Sequence, residues 1–249
     1  MTTWNKKTVF FKRRFFVKLI SVCLFIITVN IGIWLITGIT DPNEPRRRDN
    51  PYRGLILSGE NGKVNLSAVS SQNTDFLYIY TTKGCGYIDS EALQTLSRIK
   101  SSKVPVGVIH RLSFSQSGRE QAEYFVNRTK GYETELLPAV DITERGIGRI
   151  LPAPDDKIRK ALDEFIDSVY SLTGQMPIVI TDIEGYENIK DRQNIRIWLI
   201  AKNGRPKNIE GLTVWQYSSK VKAKGYENQN TALGGAVLWK DIEISDISK

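Results

Sequence analysis

Apolar residues are arranged along this chain in three ways. The first is one unbroken run, "LISVCLFIITVNIGIWLITGIT", over residues 19–40. The second is a series of short β-branched and aromatic runs: "GLILS" (54–58), "FLYIYTT" (76–82), "VPVGVIH" (104–110), "LLPAVDI" (136–142), "PIVIT" (177–181), "IRIWLIA" (195–201) and "LTVWQY" (212–217). Several of these are apolar throughout rather than alternating, as expected of parallel strands covered on both faces. The third is helical spacing. "DSEALQTLSRIK" opens on a cap at Asp89 or Ser90, and "SGREQAEYFVNRT" (117–129) is amphipathic. "PDDKIRKALDEFIDSVYSLTG" places Ile158, Leu162, Phe165, Val169 and Leu172 on one face and stops at Gly174. Strands alternating with helices imply a mostly parallel α/β layout, either a barrel or an open sheet.

The long run of 22 residues would make a helix about 33 Å long, enough for a hydrocarbon core of about 30 Å. It is longer than the apolar region of a cleaved signal peptide, and no A-x-A-like site follows. The pattern therefore predicts a transmembrane anchor over 19–40, with residues 1–18 as a basic cytoplasmic segment. Residues 41–53, "DPNEPRRRDNPYR", read as a Pro-rich tether, and residues 54–249 as the folded domain, on the periplasmic or extracytoplasmic side of a bacterial inner membrane.

Charge fits that division. The chain carries a formal net charge of +8, but ten of its 35 Lys/Arg and only three of its 27 Asp/Glu fall in residues 1–53. The rest holds 25 bases against 24 acids, so the folded part has no basic footprint and nucleic acid is excluded as a partner. Cys23 lies in the apolar run and Cys85 stands alone beyond it, so the domain has no internal disulfide. One histidine, His110, makes no metal site by itself, and no cofactor is implied.

In parallel α/β folds the chemistry gathers at the C-terminal ends of strands. The polar residues there are Ser58-Gly59-Glu60-Asn61, Lys83, His110, Asp141, the Asp182/Glu184 pair, and Gln216 with Tyr217. In order, the blocks "GLILSGENGKVNL", "FLYIYTTKGCGYIDS", "VPVGVIH", Gln121-Ala122, "LLPAVDIT", "TGQMPIVIT", "WLIA" and "WQYSS" resemble glycoside hydrolase family 25, the muramidases of the Chalaropsis-lysozyme type. The resemblance covers nearly all of residues 54–240. It implies a flattened, TIM-like β/α barrel of mostly parallel strands, preceded here by the expected transmembrane helix. It also implies cleavage after N-acetylmuramic acid by an Asp-x-Glu pair on the fourth strand, where residues i and i+2 face one way.

Against that pattern the chain departs. The family's first-strand Asp falls on Ile56, its second-strand Glu on Lys83, the glutamate of its Asp-x-Glu on Thr143, and a last-strand Asp and Asn on Leu238 and Lys240. Asp141 is the retained acid. Glu144 is a substitute only if the strand slips one residue, which would turn Asp141 away. Asp182 and Glu184 have the right spacing on the wrong strand, and Glu60 overhangs from the first loop. The resemblance makes His110 a groove residue and Trp215, Gln216 and Tyr217 a sugar-stacking corner; strand-end hydrogen bonding and burial in the core are the alternatives. Tyr80 shares a strand face with Tyr78 and is expected among the substrate-binding residues, partly filling space left by the missing acids. The expected protein is thus a membrane-anchored, catalytically degenerate muramidase-like domain of the cell envelope. It would bind peptidoglycan glycan or an envelope protein, as a scaffold or an immunity-type inhibitor. The alternative is an active muramidase using Asp141 with a relocated carboxylate.

Overall fold

The computed structural model describes residues 18–29, 44–70, 74–98, 103–144, 155–221, 223, 225–228 and 232–249. By contact the chain divides into two units, residues 1–42 and 43–249. In the first, a helix α1 covers residues 18–29, about 18 Å at 1.5 Å per residue. Among the described residues no helix is long and apolar enough to cross a membrane. This overturns the membrane-spanning helix expected over 19–40, of which residues 30–40 lie outside the described residues.

The second unit is a closed barrel. Its elements are β1 (Arg53–Leu57), α2 (Leu66–Ser70), β2 (Phe76–Lys83), β3 (Tyr87–Ile88), α3 (Ser90–Ser97), β4 (Val106–Arg111), α4 (Gly118–Thr129), β5 (Ala139–Asp141), α5 (Asp155–Thr173), β6 (Ile178–Asp182), α6 (Ile183–Glu187), β7 (Ile197–Ile200), β8 (Leu212–Val221) and β9 (Leu233–Leu238). The sheet order is β1-β9-β8-β7-β6-β5-β4-β2-β3, and β1 pairs back to β2. Eight strands close the ring while β3 hangs on β2 as a short antiparallel ribbon. All neighbours in the ring run parallel except β9, which is antiparallel to β1 and β8.

Alternation sorts each strand's residues between two cores. Ile56, Tyr78, Ile109, Ala139, Ile180, Trp198 and Val214 fill the barrel interior, where Tyr78 meets Trp198 edge-on at 4.9 Å. The intervening residues, among them Leu57, Ile79, Val108, Val140, Val179 and Leu199, pack outward against Ala122 and Phe125 of α4 and Leu162, Phe165 and Val169 of α5. Burial on both faces is why these strands read as continuous apolar runs.

Two features went unread in the pattern. β9 ("LGGAVL") carries Gly234 and Gly235, which count against a strand. Here they are required: a Cβ on Gly234 would meet Ile56 Cδ1 at 2.6 Å, and one on Gly235 would meet Val221 Cγ2 at 2.5 Å. The tether also differs from expectation. From residue 44 on it belongs to the barrel unit, with Asn50 buried and its Nδ2 donating to the Leu238 carbonyl at 2.8 Å. At the same end a 3-10 turn, Ile244–Ile247, seals the barrel, Leu137 N donating to Ile247 O at 2.7 Å. The opposite end, where the parallel strands finish, stays open.

Candidate functional site

The register Arg111↔Asp141↔Ile180 aims Asp141 into the open end of the barrel, two residues beyond the inward-facing Ala139. The one-residue slip that would have promoted Glu144 therefore does not occur. Asp141 is 1% exposed. Its Oδ1 accepts hydrogen bonds from Thr143 N at 2.8 Å and from Thr143 Oγ1 at 2.7 Å. Its Oδ2 accepts from the Tyr80 hydroxyl at 2.7 Å and lies 3.6 Å from Arg111 Nε. Both oxygens are thus engaged by neighbours on β2, β4 and the turn after β5. Thr143, where the sequence resemblance leads one to expect an acid, turns its side chain and backbone back on Asp141 in the manner of short polar residues at strand ends.

Tyr80 and Arg111 form the lid of this arrangement. The guanidinium lies over the Tyr80 ring, with Cζ 4.5 Å from the centroid. Burial, then the Asp141 charge and hydrogen bond, hold the Tyr80 phenol well above its ordinary pKa, with Arg111 opposing. Tyr80 is therefore a hydrogen-bond donor to Asp141. Arg111 Nη1 also reaches Glu144 Oε1 at 3.2 Å, and Glu144 Oε2 meets Lys83 Nζ at 2.5 Å. A single guanidinium touching both Asp141 and Glu144 keeps them within roughly 9 Å, a separation seen between carboxylates that flank a scissile glycosidic bond. Here Arg111 fills the gap that a sugar or water would need.

Above the lid is an open cleft of about 250 Å³. Tyr80, Lys83, Arg111, Tyr87, Gln216 and Asn61 line it, together with Ile56, Glu60, Asp89 and Gly234. Asp89 is occupied as a cap, accepting from Gly59 N at 2.7 Å and from Ala92 N at 3.0 Å. Ile56, where the resemblance leads one to expect an acid, fills the space against Gly234 with its branched side chain. Leu238 and Lys240 do not bear on the cleft. Because β9 runs antiparallel, Leu238 lies at the sealed end, beside Tyr52 and Asn50, while Gly234 faces the opening.

Other sequence-selected residues lie away from the cleft. His110 faces outward and is fully buried, stacked on Phe165 at 4.8 Å. Thr82 Oγ1 is 2.8 Å from its Nδ1 and Gln121 Oε1 is 3.3 Å from its Nε2. Burial lowers its pKa to about 4, so it is a neutral core residue. Alternation also sends Trp215 and Tyr217 outward, into a small cluster with Val237 and Trp239, and leaves Gln216 between them on the cleft. The stacking corner is thus turned from the site by one residue of pleat. Asp182 caps α6 through Gly185 N at 2.8 Å, and Glu184 is an exposed residue of that helix's first turn. The apolar run ends at His110, so the sequence does not single out Arg111, the last residue of β4; its place two residues after the inward Ile109 is the signal. Tyr87 and Asn61, both present in the motifs, line the cleft. Among the described residues no group of three or more His, Cys, Asp or Glu could hold a metal ion.

A barrel of mostly parallel strands with its polar cleft at their C-terminal ends places the candidate site where β/α barrel proteins carry theirs. The family model described as "Glycosyl hydrolases family 25" matches residues 57–226, more than half of the chain, and the chain belongs to that family. It is 24% identical over 176 residues to an autolytic lysozyme of Clostridium acetobutylicum, covering 70% of this chain and 52% of the relative. It is 22% identical over 187 residues to lysozyme M1 of Streptomyces globisporus, covering 70% and 64%. The chain thus spans between about half and two thirds of these relatives' lengths. In fold it is similar to a family 25 glycosyl hydrolase from Bacillus anthracis, with a TM-score of 0.71 at 22% identity over 80% of this chain and 93% of that one.

Proposed function

We propose that this family 25 barrel holds a peptidoglycan glycan strand in its open cleft without cutting it, and so works at the cell envelope. One observation carries the reading: both oxygens of Asp141 are engaged, by Tyr80 and Thr143, beneath a guanidinium that occupies the space between it and Glu144. Loss of a general acid alone forfeits about 10²–10⁴-fold in rate. Replacing a further acid by Ile56 removes charge that would stabilise an oxocarbenium-like transition state. Tyr87, 57% exposed at the rim, and the polar Gln216 and Asn61 suit a sugar face and its hydroxyls. Purified protein incubated with sacculi should release no muropeptides and should sediment with them. Sedimentation without release supports the reading. If neither occurs, a protein partner from the envelope takes its place.

A second reading, a working muramidase, is favoured by the contact of both Asp141 and Glu144 with the one Arg111 guanidinium, which brings a second carboxylate near the first. It requires Arg111 to swing out of the gap. Muropeptide release by the wild type, abolished in both Asp141→Asn and Glu144→Gln, would establish it.

A further inference from the structure

The two cations at the cleft carry the inference. Lys83 ends β2 and Arg111 ends β4, and both line the cleft. The one carboxylate of Glu144 bridges them, Oε1 to Arg111 Nη1 at 3.2 Å and Oε2 to Lys83 Nζ at 2.5 Å. Glu144 itself is not among the residues that line the cleft. Arg111 is held in place from below by stacking on Tyr80 at 4.5 Å and by Asp141 at 3.6 Å. Lys83 and Glu144 remain 46% and 43% exposed, so the bridge they form is of the kind that water and salt weaken. The geometry is that of a carboxylate receptor whose present occupant comes from the chain itself: two donors converge on two oxygens, one donor is fixed, and the occupant is easily displaced.

We propose that Lys83 and Arg111 form a carboxylate-binding site at the edge of the cleft, and that Glu144 fills it until a carboxylate of the bound wall polymer takes its place. The ligand chemistry is a free carboxylate, from the lactyl group of a muramic acid that has lost its stem peptide or from a stem peptide itself. The inference rests on the glycan-binding reading and refines it by saying which group of the polymer is recognised. It also accounts for Lys83 at a position where the family carries an acid.

Titration calorimetry of the whole protein with N-acetylmuramic acid, an unamidated stem tetrapeptide and N-acetylglucosamine tests it. Glu144→Gln removes the competitor and should tighten a carboxylated probe at least threefold, with no gain for N-acetylglucosamine. Lys83→Met should weaken the same probe and erase the gain when combined with Glu144→Gln. Which carboxylated probe responds identifies the source. The site is refuted if Glu144→Gln leaves the carboxylated probes unchanged, improves N-acetylglucosamine equally, or keeps its gain in the double variant. Circular dichroism of each variant separates these results from misfolding. Failure of the wild type to sediment with sacculi would instead remove the glycan-binding reading itself.

Discussion

Asp141 is a buried carboxylate whose two oxygens are both held by neighbouring donors. A carboxylate that only accepts is matched to three donors, the Tyr80 hydroxyl and the Thr143 hydroxyl and amide. Asp141→Asn replaces one acceptor oxygen by an amide that donates toward a donor. It should cost about 1–3 kcal/mol, the usual consequence of leaving a buried polar group unmatched. Urea denaturation measures this, and an unshifted midpoint would mean the network adds nothing. That Thr143 stands two residues after Asp141 was legible in the sequence, because it is a residue type at a position. Its bond back to Asp141 was not, since that depends on how the chain turns after the strand. His110 gives a second prediction. Its folded-state pKa of about 4 lies below the ordinary 6.5, so the unfolded chain takes up the proton first as pH falls. The contribution is complete above about pH 6.5 and is lost on going down to pH 4, by up to about 3 kcal/mol. Unfolding free energies across that window should fall in the wild type and flatten in His110→Gln.

Among elements, helices and strands were legible to within a few residues wherever one face was apolar. α5 was predicted over 154–174 and spans Asp155–Thr173. The failures were elements built on glycine, β9 above all, where close approach to Ile56, Val221 and Tyr217 replaces side-chain pattern as the reason for the residue. The same logic governs the α4–α5 contact. Gly118, the first residue of α4, lies so near α5 that an added Cβ would be 2.0 Å from the Ala161 carbonyl oxygen. Its amide donates to Glu164 Oε2 at 3.0 Å. Gly118→Ala should therefore force the helices apart. Overpacking of this kind costs roughly 1–3 kcal/mol, and a backbone obstacle places it at the upper end. Thermal unfolding reads the loss; a melting temperature equal to wild type would show that the helices shift freely.

For the whole molecule, the ordering of strand ends around the barrel made the family legible, whereas the direction of the last strand and the extent of the body were not. β9 returns antiparallel, so a position counted as a lost catalytic acid, Leu238, belongs to the sealed end instead. That end is closed by a stretch that composition alone assigns to a tether. Asn50 Nδ2 donates to the Leu238 carbonyl at 2.8 Å, Leu238 N to Tyr52 O at 3.1 Å, and Arg53 N to Asp75 Oδ2 at 2.8 Å. Arg53 is further paired with Glu44. A protein begun at Gly54, where the strand pattern starts, lacks all four contacts; one begun at Glu44 keeps them. At about 1 kcal/mol for each of the three hydrogen bonds, the shorter form should be less stable by about 3 kcal/mol. For a body of this size that lowers the melting temperature by roughly 6–12 °C. The cleft lies at the other end of the barrel, so sedimentation with sacculi should survive below the lowered transition. Equal melting of the two forms would return residues 44–53 to the role of a tether.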